Sequence, residues 1–379
     1  MKLPYYNLDR IDKENASINL IWGERSNGKS YQVKHKKAIY PFWESYKKYK
    51  EEMVENAFNN YERFFLLRRL ETEIKPSYVS KYFADIDVAG ITNNEYNCID
   101  VYRREIYLAT YNEEKRKVIR GVKIGYVGAL STEQTYAGQS YLDVTNIIFE
   151  EFMARTPYLP NEPDKLMNFY STIDRKRHKV RLWLVGNTIS RVCPYLTDWG
   201  LMSIIKKQKQ GDIAVVNVPT GEYYENGKPE EVKIAIEYCK STGVSSGVIG
   251  KHAKMLNSGS WQSDPQPILP KSYKDYKLLF RIGFQFKEFK FLGEYLKDKE
   301  TKENVWFIYP YNDEFKENLI VISDIIKPTK YYQRNIYDIT IKNDKIKSVL
   351  DTFRESIIFY ATDLVGTDFK QCIDFSIRK

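Results

Sequence analysis

The stretch Gly23-Glu24-Arg25-Ser26-Asn27-Gly28-Lys29-Ser30 constrains this chain more than any other. It meets every fixed position of G-x-x-x-x-G-K-[ST], a pattern that works only between a buried strand and the start of a helix. Both flanks fit: Ser17-Ile18-Asn19-Leu20-Ile21-Trp22 reads as a buried strand and Tyr31 to Tyr40 as a helix. In such a loop the glycines let backbone N–H groups turn inward around phosphate oxygens, and the helix start adds its dipole. All eight residues are therefore candidates to cradle a nucleotide such as ATP. Lys29 is placed to reach the β- and γ-phosphates, and the Ser30 hydroxyl to help hold Mg²⁺.

A second anchor lies at Asn146-Ile147-Ile148-Phe149-Glu150-Glu151-Phe152. Three apolar residues mark a buried strand, and two carboxylates sit at its end. Phosphoryl transfer to water needs one carboxylate near the metal and one to orient the attacking water. That assigns Glu150 to Mg²⁺ and Glu151 to the water. Val180 to Asn187 reads as another buried strand, and its tip amide, Asn187, can sense the terminal phosphate or hold the water. The basic run Arg175-Lys176-Arg177-His178-Lys179 precedes it, after a helix-like stretch from Asp164 to Ile173. Arg175 or Arg177 can enter a neighbouring subunit's site as an arginine finger, or the run can simply face solvent or DNA.

Between these anchors, Lys34 to Glu55 is charged and helical in pattern, with a break expected near Pro41. Arg63 to Arg69 reads as a short strand, with Arg68 or Arg69 at its ligand-facing end or in solvent. Glu105 to Tyr111 and Val118 to Val127 read as a hairpin inserted before the next core strand. Lys115, Arg116 and Lys117 at its tip are candidates to track a nucleic-acid backbone.

The charge balance points the same way. The chain of 379 residues carries 59 Lys+Arg against 50 Asp+Glu, a net charge of +9. That excess favours a polyanionic partner. Four scattered cysteines without a CxxC pair and only three histidines argue against a zinc site, and free thiols suit a reducing cytoplasm. No run approaches the ~18 apolar residues of a membrane span, so no membrane partner is expected.

From Asp212 the pattern shifts to short strands (Asp212 to Val218, Glu222 to Tyr224, Val232 to Cys239) with a turn signal at Asn226-Gly227. Ser241 to Gln266 is rich in Ser and Gly and reads as flexible. Pro265, Pro267 and Pro270 mark a boundary. Strand-like aromatic alternation follows (Leu278 to Phe286, Phe289 to Tyr295, Val305 to Tyr309), then helical patterning between Asp344 and Tyr360. The expected division is an ATPase domain at 1–210, a linker region with short strands at 211–268, and a smaller domain at 269–379.

The ordered set of loop, acid pair, basic run and strand ending in Asn187 resembles the DNA-encapsidation ATPases of small tailed phages, the phi-29-like packaging motors. The run from Asn187 through Ser190 to Pro194 and Tyr195, Asn-x-x-Ser-x-x-x-Pro-Tyr, is the more family-like feature. The resemblance covers about the first 210 residues well. It implies an α/β fold: a RecA-like ATPase domain with an added catalytic glutamate, similar to terminase and FtsK/HerA-type pumps. It implies Gly23, Gly28, Lys29 and Ser30 as Walker A positions, Glu151 as the catalytic glutamate, and Arg175 or Arg177 as the trans finger. Glu150 stands where the family usually has Asp. It further implies ATP and Mg²⁺, a homo-oligomeric ring of five on the portal of a procapsid, and double-stranded DNA as cargo. A structural packaging RNA serves one branch of the family.

The carboxyl-terminal part resembles, in strand order only, the α+β RNase H-like nuclease domain of larger terminases. Its opening strand, Lys277 to Phe286, contains no acid, so a vestigial nuclease domain without metal-dependent cleavage is expected. Two other readings share these residues: a FtsK/HerA-type pump, and a nucleotide-gated nucleic-acid-binding protein without turnover.

Overall fold

The computed structural model describes residues 5–51, 61–154, 158–188, 191–223, 226–242, 265–324, 328–333 and 344–377. The chain divides into two compact units, Met1–Thr188 with Ile204–Ser260, and Ile189–Ser203 with Trp261–Lys379.

The first unit is built on one sheet. Its strands are β1 (Ile18–Gly23), β2 (Arg63–Arg68), β3 (Cys98–Tyr102), β4 (Glu105–Asn112), β5 (Lys117–Ala129), β6 (Val144–Glu150), β7 (Arg181–Asn187), β8 (Ile213–Tyr223) and β9 (Pro229–Tyr238). They lie in the order β3-β4-β5-β2-β6-β7-β1-β9-β8. The six from β5 to β9 run parallel, and the edge pairs β3-β4, β4-β5 and β8-β9 are antiparallel. Every residue of β1 is buried, and β2, β6 and β7 are nearly so. Parallel strands covered on both faces must be apolar throughout, which is why they read as continuous runs. β7 lies between the glycine-loop strand β1 and the acid strand β6, so the carboxyl ends of all three meet at one edge.

Three expectations change here. The hairpin β4-β5 is no insertion, because β5 pairs parallel with β2 inside the sheet. The expected linker at 211–268 contains β8 and β9, and β9 pairs with β1 along its length. Ile213–Tyr223 is thus one edge strand, and the hairpin belongs to the first unit. Residues 243–264, most of the stretch read as flexible, lie outside the described residues. Finally, the helix after the glycine loop does not break at Pro41. It begins at Lys29, widens to a π-helix over Lys34–Ile39, and continues through Tyr40–Glu51. The Tyr40 N–H bonds the His35 carbonyl, five residues back. That shift in register just before Pro41 accommodates a residue with no N–H to give.

The second unit has its own sheet, with β10 (Tyr276–Phe286), β11 (Phe289–Asp298), β12 (Asn304–Pro310), β13 (Ile320–Ser323), β14 (Tyr331–Gln333) and β15 (Ile357–Tyr360). The order is β14-β13-β10-β11-β12-β15. β10, β11 and β12 form an antiparallel meander, while β13 runs parallel to β10, β14 to β13 and β15 to β12. A central opening strand with an antiparallel arm on one side and parallel strands on the other fits the RNase H-like layout. The helical patterning expected to Tyr360 ends at Glu355, because Ile357-Ile358-Phe359-Tyr360 is a β-branched and aromatic run that pairs with β12. The core is aromatic: Phe284 meets Phe369 edge-on at 4.8 Å and Phe353 at 5.3 Å between ring centres.

Candidate active site

The glycine loop leaves β1 at Gly23 and enters the helix at Lys29. Two of its glycines are required by geometry. Gly28 caps the helix at φ 92°, a left-handed conformation that favours glycine. A Cβ on Gly23 would lie 2.7 Å from Cβ of Cys239. The loop is braced from outside: the Tyr6 N–H donates to the Asn27 carbonyl at 2.9 Å, and the Glu24 carboxylate accepts the Ser241 hydroxyl at 2.6 Å and the Thr242 N–H. Arg25 and Ser26 are exposed, and the Asn27 side chain accepts the Lys29 N–H at 3.2 Å.

The Lys29 ammonium is buried and donates to the Glu24 carbonyl at 2.6 Å and to Asn187 Oδ1 at 2.8 Å. Burial holds its pKa below the ordinary lysine value, against the pull of Glu150 and Glu24. Ser30 Oγ donates to Glu150 Oε2 at 3.1 Å. Burial pushes the Glu150 carboxyl up, and the Tyr82 hydroxyl, Arg68, Ser30 and Lys29 hold it down. The structure therefore brings Lys29, Ser30, Glu150 and Asn187 together across three adjacent strand ends.

Glu151 sits one residue past β6 at φ 58°, a strained conformation that something must hold. Arg69 holds it. Its Nη1 donates to the Glu151 carbonyl at 3.1 Å and its Nη2 to the Phe152 carbonyl at 2.9 Å, while Nε bonds both oxygens of buried Glu162. Arg69 is thus a brace rather than a ligand-facing arginine. Arg68 is the one that faces the site, with Nη2 3.3 Å from Glu151 Oε2. The Glu151 side chain is otherwise open to solvent.

The donor set suits a small hard cation: one hydroxyl and one carboxylate leave most positions for phosphate and water oxygens, as Mg²⁺ prefers. Among the described residues no cluster of three His, Cys, Asp or Glu forms an all-protein cage.

The profile described as Podovirus DNA encapsidation protein (Gp16) matches residues 1–324. The chain belongs to that family. Two curated relatives are each called "DNA packaging protein", from Bacillus phages phi29 and PZA. Each is 25% identical over 335 residues, covering 84% of this chain and 86% of the relative. A solved structure, "The bacteriophage Phi-29 viral genome packaging motor assembly", superposes with a TM-score of 0.53 at 20% identity, covering 97% of this chain and 99% of that one. At that identity the likeness shows a shared fold.

Other residues of this encapsidation-family chain lie elsewhere. The turn holding Arg175 and Arg177 precedes β7, at the edge of the sheet opposite the glycine loop. Arg177 is spent on backbone: Nε donates to the Asp174 carbonyl at 2.9 Å and Nη2 to the Ile173 carbonyl at 2.9 Å, and Nη1 bonds the Leu142 carbonyl. The Asp174 carboxylate accepts the N–H groups of His178, Lys179 and Val180. Arg175 is exposed, with one guanidinium bond to the Gln139 carbonyl at 2.7 Å. Lys115, Arg116 and Lys117 are exposed at the β4-β5 turn. Sequence reasoning missed Tyr82, Cys239 and the two partners of Glu24, Ser241 and Thr242. None carries a motif signal, because each reaches the site from a distant segment.

Proposed function

We propose that this chain is the ATPase of a DNA-encapsidation motor, hydrolysing ATP to drive double-stranded DNA into a procapsid. The observation that carries this reading is the meeting of Lys29, Ser30, Glu150 and Asn187 at adjacent carboxyl ends of a parallel sheet, in a chain of the encapsidation family. Residues Gly23 to Ser30 would enclose the phosphates. Lys29 would exchange its Glu24 and Asn187 partners for phosphate oxygens, which frees the Asn187 amide to meet the terminal phosphate or the water. Ser30 and Glu150 would hold Mg²⁺, which when bound neutralises phosphate charge. Glu151 orients the attacking water, and Arg68 fixes where its carboxylate points.

Arg175, rather than Arg177, is the candidate finger toward a neighbouring subunit, because it stands exposed on a turn that Asp174 and Arg177 stiffen. A ring of copies, five in the phi-29-like case, would set that turn against the next site. Lys115, Arg116 and Lys117 are candidates for DNA phosphates. The portal, and in some members a packaging RNA, would be the docking partners. The second unit would bind rather than cut nucleic acid or partner, since β10 carries no acid.

The direct test is packaging of double-stranded DNA into purified procapsids with ATP. Protection of DNA from nuclease by the wild-type chain, and none with Lys29→Ala, is expected. DNA protection that persists without ATP or with Lys29→Ala would overturn the reading.

A further inference from the structure

The site contains a side chain to which no motif gives a role. Tyr82, the last residue of the helix Pro76–Tyr82, donates its hydroxyl to Glu150 Oε1 at 2.7 Å. The other oxygen of the same carboxylate, Oε2, is the one that faces Ser30. Tyr82 is itself held in place. The Lys34 ammonium lies 4.7 Å from the centre of its ring and donates to its carbonyl at 2.7 Å, and Phe83 packs edge-on against the ring at 4.9 Å. Lys34 also pairs with Asp85, which ties the π-helix that follows the glycine loop to this corner.

A glutamate has one more rotatable bond than an aspartate, so an unrestrained Glu150 can turn both oxygens toward a cation. Ca²⁺ accepts carboxylates in that two-oxygen mode and takes many oxygen ligands. Mg²⁺ demands a tight octahedron and takes a carboxylate through one oxygen or through water. A phenol hydrogen-bonded to Oε1 competes with the cation for that oxygen and favours the single-oxygen mode.

We propose that Tyr82 is a positioning residue that sets the cation selectivity of this site, closing one oxygen of Glu150 so that the carboxylate meets the cation through Oε2 alone. This rests on the reading of Ser30 and Glu150 as the Mg²⁺ pair. It assigns Tyr82 no contact with substrate.

The test uses the full chain and calorimetric binding of a non-hydrolysable ATP analogue in Mg²⁺ or in Ca²⁺. Wild type is expected to bind more tightly with Mg²⁺. Tyr82→Phe keeps the ring and removes only the hydroxyl, and it should lower the Mg²⁺-to-Ca²⁺ affinity ratio by about tenfold, the scale of one hydrogen bond to a charged group. A merely structural role would weaken both cations equally, so an unchanged ratio overturns the proposal. Should Tyr82→Phe fail to fold, Tyr82→Met decides, since a flexible apolar side chain fills the same space without a hydroxyl. A lowered ratio then supports the proposal and an unchanged one overturns it. If wild type binds the analogue with neither cation, the nucleotide-site reading itself fails and this proposal falls with it. An unchanged ratio with tight binding sinks Tyr82 alone.

Discussion

Each sheet buries a glutamate on a strand, and Glu294 and Glu150 are treated in opposite ways. In the second unit Glu294 on β11 is closed off by its own neighbours: Arg281 Nε donates to Oε1 at 2.7 Å, and the hydroxyls of Tyr309 and Tyr273 donate at 3.0 Å and 2.6 Å. Asp368 in the same unit is buried against Arg191 at 2.7 Å. In the first unit Glu150 is equally buried, but its hydrogen-bond partners are a hydroxyl and a phenol rather than a cation. A buried charge costs several kcal/mol unless paired. Glu294 meets that cost permanently with its own cation, as Glu162 of the first unit does with Arg69, whereas Glu150 leaves part of it for a ligand.

Two substitutions separate the open site from the closed one. Lys29→Ala should bring ATP turnover to background with the fold intact. Glu294→Gln should leave turnover unchanged and lower stability by about 1–2 kcal/mol, since a charged acceptor is replaced by a neutral one. Steady-state hydrolysis and thermal unfolding of both variants check this. Loss of turnover in Glu294→Gln would mean that the second unit's acid is not merely structural.

The same contrast of closed against open charge separates two neighbours on one turn. Arg175→Ala should cut turnover by about a hundredfold in assembled protein, as for loss of one donor to transition-state charge, with an unchanged unfolding temperature. Arg177→Ala should lower the unfolding temperature, because several backbone carbonyls lose their donor. The reverse pattern would exchange their roles. The smallest effect is expected at the β4-β5 turn. Replacing Lys115, Arg116 and Lys117 with alanine should weaken DNA binding modestly and flatten its salt dependence by about one unit of slope for each phosphate no longer neutralised. A slope that does not change would remove this turn from the DNA path.

The sequence is most legible where burial makes it simple. β1, β6 and β7 are apolar runs because parallel central strands are covered on both faces; Glu150 and Asn187 end two of them, and Lys29 opens the helix that follows the third. It is least legible where a role depends on distant backbone. Arg68 and Arg69 are adjacent and chemically alike, and only the position of Glu162 and of the carbonyls after β6 makes one a brace and the other a site residue. Arg175 and Arg177 divide in the same way through the carbonyls near Leu142 and Ile173. Tyr82 arrives on a helix between β2 and β3, and nothing in its local pattern announces Glu150. The β8-β9 hairpin reads as linker because half-exposed edge strands alternate weakly, and pairing of β9 with β1 joins segments more than two hundred residues apart.

In the proposed function the acid past β6, Glu151, activates water for ATP hydrolysis coupled to DNA. Steady-state hydrolysis by wild type and by Glu151→Gln, each with and without double-stranded DNA, tests it most directly. Wild-type turnover should rise with DNA, while Glu151→Gln should bind ATP and turn over at background. Equal turnover by the two proteins would contradict the account.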